Sequence, residues 1–171
     1  PWTGPFGGVP DWKSVKVEEF VPAFDVAMDE QRAEIKRIAG NSEPPTFENT
    51  IVALERAGEM RDRLSTYYGV HSSTLNTGPM PDVQKTMAPK FAAFADEVTQ
   101  NEKLFRRVAA VYEGKEYKSL SPIQQRLTWD RYRNFVRAGA KLDAAQKTRL
   151  SAINQRLATL YNHFGQNVQD D

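Results

Sequence analysis

The stretch whose reading decides the fold is residues 143–168, DAAQKTRLSAINQRLATLYNHFGQNV. Within it Leu150, Ile153, Leu157, Leu160, Phe164 and Val168 follow one another at spacings of 3, 4, 3, 4 and 4. Such spacing puts all six on one stripe of an α-helix, a heptad-like seam over about three repeats. Asp143 and Gln146 form a capping box that marks where this helix begins. The seam is expected to be framework, buried against the rest of the protein.

The same helical period recurs upstream. Phe20, Phe24, Ala27, Met28, Ile35 and Ile38 predict a helix over 17–39, with Pro22 in its first turn and Gly40-Asn41 as its stop. A second helix is expected from the N-cap Thr46 to Leu75, carrying Phe47, Ile51, Leu54, Ala57, Leu64, Tyr67, His71 and Leu75 near one stripe. The short connector between the two implies an antiparallel hairpin. Val83, Met87, Phe91, Phe94 and Val98 form a third track, which Pro89 should kink or split. Asn101 is positioned to cap a helix with Leu104, Phe105, Val108 and Tyr112. Ser121-Pro122-Ile123-Gln124 is a capping box opening a helix to about Ala138, with Ile123, Leu127, Tyr132 and Phe135 inward. Gly139 should mark a break or a close contact. No segment alternates with period two, so the fold class is all-α: antiparallel helical hairpins in a bundle, with an extended N-terminal arm. The arm covers 1–16, studded with Pro1, Pro5, Pro10, Trp2, Phe6 and Trp12; the helical domain covers 17–171.

Composition narrows the chemistry. The chain has 171 residues, no cysteine, two histidines and a net charge of +1. Disulfides, thiol nucleophiles and Cys-ligated metals are excluded. Bulk electrostatic attraction to nucleic acid is disfavoured. A chain this long buries roughly 70% of its unfolded surface, enough for a core. No stretch approaches the length of a membrane span. The charge is uneven: residues 1–86 hold 9 basic and 13 acidic residues, net −4, and residues 87–171 hold 14 and 9, net +5.

Site motifs are scarce. His71 and His163 belong to no zinc-binding spacing, and His71 reads as a satisfied core or rim residue. Glu55 and Glu59, among Arg56, Arg61 and Arg63, read as an ion-paired helix face. Arg126, Arg131, Arg133 and Arg137 interleave with Trp129, Tyr132 and Phe135. That pattern suits either single-stranded nucleic acid or an ion-paired helix against an acidic surface, such as the first half of this chain. No residue qualifies as catalytic, cofactor-binding or metal-binding.

An ordered set of strings carries a resemblance. They are Phe20-Val-Pro-Ala-Phe24, Pro44-Pro-Thr-Phe-Glu-Asn-Thr-Ile51, Ala53-Leu-Glu55, Asn101-Glu-Lys-Leu-Phe105, Arg107-Val108, Phe135-Val-Arg-Ala-Gly-Ala-Lys-Leu142, Ile153-Asn-Gln-Arg-Leu157 and Phe164-Gly-Gln-Asn-Val168, with Pro1-Trp-Thr-Gly-Pro-Phe-Gly7 at the start. Together they resemble the N-terminal region of the thimet oligopeptidase family of zinc metallopeptidases, and within it most resemble bacterial peptidyl-dipeptidase (dipeptidyl carboxypeptidase). The resemblance implies a helical enzyme with a deep channel and a zinc held by a His-Glu-x-x-His helix and a downstream glutamate. It implies a function too: hydrolysis of short peptides, with release of C-terminal dipeptides. That motif is absent from these residues. The chain is therefore expected to be a noncatalytic helical domain forming one wall of the substrate channel, with zinc in the parent enzyme and none bound here. Its expected partners are the remainder of the peptidase and, in the parent, short peptides; nucleic acid and membrane are not expected. A cytoplasmic location is expected, with periplasm open. Pro1 in place of Met and a last helix without a stop signal read as a piece of a longer protein. Such a piece should expose apolar surface and either self-associate or pair its last helix with a neighbour. The rival expectation is a stand-alone helical module that binds a partner helix through its final seam.

Overall fold

The computed structural model describes Trp12 and residues 14–170, without the side chains of 169 and 170. Most of the expected arm, residues 1–11 and 13, lies outside the described residues. Its last aromatic does not: the Trp12 ring lies 5.1 Å from that of Tyr67.

A 3-10 turn, Val17–Glu19, leads into α1, Phe20–Ala39. A π-helical turn, Phe47–Val52, continues into the short α2, Ala53–Arg56. Then come α3, Glu59–Thr74, and α4, Met80–Thr99. After α5, Glu102–Glu113, a 3-10 turn at Lys115–Ser119 precedes α6, Pro122–Arg137. The chain closes with α7, Ala144–Asp170. No strand occurs among the described residues, and none of the described helices is long and apolar enough to cross a membrane.

The start signals act as their chemistry dictates. Thr46 accepts from the Asn49 backbone N–H at 3.1 Å, and the Asn49 side chain accepts from Thr46 N–H at 2.8 Å. Ser121 with Gln124, and Asp143 with Gln146, close the same reciprocal pair. Asn101 caps α5 through Leu104 N–H at 3.0 Å.

Two apolar clusters make the core, and α1 belongs to both. Its first half supplies Phe20, Phe24 and Met28, which meet Met80, Val83, Met87 and Phe94 of α4. Its second half supplies Ile35 and Ile38, which meet Phe47, Ile51, Leu104, Val108, Val111 and Phe135. A stretch of α1 between them carries the buried Gln31. Within the first cluster, rings cross edge to face: Phe24 lies 4.8 Å from Phe91 and 5.5 Å from Tyr68.

Four expectations need correction. The helix expected to run unbroken from Thr46 to Leu75 is interrupted at Ala57-Gly58. Gly58 has φ +89°, a left-handed conformation that glycine adopts without a Cβ clash, and α1 holds the turn there. Glu34 accepts from Gly58 N–H at 2.7 Å, and Gln31 donates to Ala57 C=O at 3.3 Å while accepting from Arg61 at 2.7 Å. Conversely, α4 is continuous through Pro89, so of the expected kink or split the split does not occur. The Lys85 carbonyl loses its donor, but Met80, Val83 and Met87 before the proline and Phe94 after it lie buried in one cluster and hold the helix together. Ile123, expected inward, is 82% exposed, because it lies in the first turn of α6, outside both clusters. The fourth correction concerns the last helix.

Candidate functional site

The seam of α7 does not face the core. Ile153, Leu157, Leu160, Tyr161, Phe164 and Val168 are between 43% and 73% exposed, and none joins either cluster. A different face of α7 lies on α4. Lys147, Ser151, Asn154, Ala158, Asn162 and Gly165 are less exposed, at helical spacing, and are mostly small or amide-bearing. Gln100 donates to Ser151 at 3.3 Å, Asn154 donates to Asp96 at 2.7 Å, and Gln166 donates to Gln84. Small residues permit a close approach of the helices, and the amides supply direction. The apolar stripe is left on the outside, a contiguous unpartnered face.

The turn from α6 into α7 is tight. Gly139 has φ +91°, and a Cβ there would meet Leu150 at 2.7 Å and Leu142 at 2.9 Å. The expected break and the expected close contact are both present. Leu150, first residue of the seam, is used here as a doorstop and is half-buried.

The basic, aromatic face of α6 is partly ion-paired within the protein. The Arg126 and Arg133 guanidinium groups lie 4.4 Å and 4.2 Å from the Trp129 ring centre. Both also reach Asp130 at 3.0 Å. Arg131 pairs with Glu55, and that hydrogen bond raises its pKa above the ordinary arginine value. Lys90 reaches Asp25 at 2.7 Å. The acidic first half and the basic second half therefore meet in part, which is the ion-paired alternative. Arg137 is exposed.

Glu55 and Glu59 are separated by the break at Gly58 and serve different partners: Glu55 takes Arg131, and Glu59 takes Arg63 at 2.6 Å. His71 is buried, with its ring 5.4 Å from Phe20 and 6.4 Å from Trp12. It is not the satisfied histidine expected, since its Nε2 has no hydrogen-bond partner. His163 is exposed and lines a shallow cleft of about 250 Å³ with Pro81, Asp82, Lys85 and Gln166. No group of three or more His, Cys, Asp or Glu among the described residues is arranged to hold a metal ion.

One buried cation escaped sequence reasoning. Arg107 is buried, donating to the Asn41 and Glu43 carbonyls at 2.8 Å and 2.9 Å and to the Asn49 side chain at 2.8 Å. Burial lowers its pKa from the ordinary arginine value. A fork of donors is what three convergent oxygens require. The signal was its position: Arg107 lies on the same face as Leu104, Val108 and Val111. Through Asn49 it joins two of the strings quoted above, residues 44–51 and 107–108.

Comparison with known proteins follows that geometry. No family model matches the chain. Over 159 residues, 93% of the chain, it is 33% identical to dipeptidyl carboxypeptidase of Escherichia coli (strain K12), and 29% identical to dipeptidyl carboxypeptidase of Salmonella typhimurium. Oligopeptidase A of Escherichia coli (strain K12) is 24% identical over 95% of the chain. The chain spans about a quarter of the length of these relatives, 23% for the dipeptidyl carboxypeptidases. At 33% identity over 93% of its residues, the chain belongs to the thimet oligopeptidase family as a segment of its N-terminal region.

Proposed function

We propose that this chain is a noncatalytic helical segment of a zinc metallopeptidase that releases C-terminal dipeptides from short peptides, and that it forms one wall of the substrate channel. The observation that carries the reading is the match to dipeptidyl carboxypeptidases over 93% of the chain, at higher identity than to oligopeptidase A.

Zinc chemistry would be supplied by the rest of such an enzyme. The residues described here do not fit that metal: His71 sits between aromatic rings, and His163 has no ligand cluster around it. What this segment offers is shape. Two clusters sharing α1 make a body that resists bending, as close-packed interiors do. A stiff wall restricts a channel to extended, unstructured peptides, because a folded protein cannot enter without displacing packed helices.

The test is a chimera. The matching stretch of Escherichia coli dipeptidyl carboxypeptidase is replaced by residues 14–170 of this chain, and dipeptide release from a quenched peptide is followed. Retained release, with no turnover by the isolated 171-residue chain, is the expected result. A folded chimera that loses release, or chelator-sensitive turnover by the chain alone, overturns the reading. The second reading, a stand-alone interaction module, is favoured by one observation, the unpartnered apolar face of α7. A reading frame that ends at Asp171 would select it; one that continues to His-Glu-x-x-His would remove it.

A further inference from the structure

Trp12 is the first described residue, and it is held against α3: its ring lies 5.1 Å from that of Tyr67 and 6.4 Å from that of His71. Beside this anchor a cleft of about 260 Å³ opens between the segment after Trp12, the start of α1 and α3, walled by Val15, Phe20, Ala23, Leu64 and Tyr67. An apolar cavity of roughly 150 Å³ takes a benzene ring, so this cleft has room for an aromatic side chain. Its two charged residues, Lys16 and Glu19, pair with each other at 3.5 Å. The cleft therefore asks for no charged occupant.

A second observation lies next to it. His71 stands one turn beyond Tyr67 on α3, with its ring 5.4 Å from that of Phe20, so two walls of the cleft are also its neighbours. It is 7% exposed, and its Nε2 is buried without a hydrogen-bond partner. Buried polar atoms are costly to leave unpaired. The occupant sought is uncharged, carries an aromatic ring and backbone polar groups, and arrives beside Trp12. Residues 1–10, Pro-Trp-Thr-Gly-Pro-Phe-Gly-Gly-Val-Pro, have no charged side chain. They are tethered at Trp12, and the six residues from Phe6 to Trp12 reach at most about 20 Å. Gly7, Gly8 and Pro10 in that span suit a reversal of direction. A short tether gives the segment a local concentration on the order of millimolar, which a second copy or a free peptide in dilute solution does not match.

We propose that residues 1–10 fold back on the body as a strap, with Phe6 filling the cleft between Val15, Phe20, Ala23, Leu64 and Tyr67, and with the backbone between Phe6 and Trp12 supplying the polar partner that His71 Nε2 lacks. The proposal rests on the cleft, on His71 and on the Trp12 anchor, and is independent of the peptidase reading.

The test uses the full 171-residue chain with isotope-labelled methyl groups. Nuclear Overhauser cross-peaks are expected from the Phe6 ring to the Leu64 and Ala23 methyls. Phe6→Ser removes them and moves the Nε2 nitrogen resonance of His71, while circular dichroism shows the helices intact. A synthetic peptide of residues 1–10 then shifts the Leu64 and Ala23 methyl resonances of the Phe6→Ser chain at concentrations at least about tenfold lower than the unaltered chain requires, because the tethered strap competes there. Absence of the Phe6 cross-peaks overturns the proposal, as do cross-peaks from Trp2 in their place. So does a His71 Nε2 resonance unmoved by Phe6→Ser, or an equal response of the two chains to the peptide. Cross-peaks seen only between a labelled and an unlabelled copy would put the strap of a second copy in the cleft, and overturn it too. None of these readouts involves peptide hydrolysis, so the chimera result can fail while this one holds, and the reverse.

Discussion

Asn154 of α7 donates to the Asp96 carboxylate of α4 at 2.7 Å, and the other carboxylate oxygen, Oδ2, is buried without a hydrogen-bond partner. The last helix is therefore held to the body through a half-satisfied buried acid. Removing the donor leaves the acid with no partner at all. Asn154→Ala is expected to cost about 1–3 kcal/mol, the range for stranding a buried polar group. Asp96→Asn keeps an acceptor and removes the buried charge, and should cost less. Urea denaturation of the two variants checks the order; an equal or reversed loss would contradict it.

The apolar seam beside this contact should be almost silent in folding. Leu157 is exposed, so Leu157→Ala is expected to change stability by no more than about 0.5 kcal/mol, the range for surface substitutions. Leu104 is fully buried in the second core cluster. Leu104→Ala should cost about 2–5 kcal/mol by loss of transfer energy and creation of a cavity. Paired denaturation curves decide, and the contrast between two leucines is the measurement of which face of α7 the fold uses.

Gly58 is predicted to tolerate no side chain. Its φ of +89° is strained for alanine, and a Cβ would lie 2.4 Å from Gln31 Nε2. The left-handed conformation alone costs about 1–2 kcal/mol, and Gln31 cannot yield without giving up Ala57 and Arg61. Gly58→Ala should lower the melting temperature by several degrees, roughly in proportion to that loss. Gly69→Ala is the control, because no atom lies within 4 Å of a Cβ at that position.

Alkaline conditions should loosen the first cluster. Burial pushes the Tyr68 hydroxyl up to about 12 from its ordinary value near 10. The folded state thus keeps its proton where the unfolded state has lost it. The contribution is fully present below pH 10 and is lost as pH rises from 10 through 12. Tyr68→Phe, which cannot ionise, should flatten the decline of stability over that window. A decline of the same steepness in the variant would assign it to other groups.

Much of the backbone was legible in the amino-acid order, because its signals are local. The N-cap Thr46 and the capping pairs Ser121–Gln124 and Asp143–Gln146 act within three residues, and the apolar period of α1 reports its own buried face. The Gly58 break was not legible, since a glycine in a helical stripe is tolerated or not according to what packs beside it, here Gln31 and Glu34 of another helix. At Pro89 the split did not occur: neighbours along one cluster hold the helix continuous past the proline. The Arg107 clamp was missed because its three oxygens lie more than fifty residues away along the chain.

What the sequence by itself determined is that residues 144–168, capped by Asp143, form a helix with one apolar stripe. Periodicity and composition are properties of the helix alone. Only the tertiary structure decided which face of that helix the fold would use. Docking depends on the matching surface of α4, where Asp96, Gln84 and Gln100 offer hydrogen bonds and small residues on α7 allow approach. The polar face turned inward, and the stripe that looked like core was left exposed.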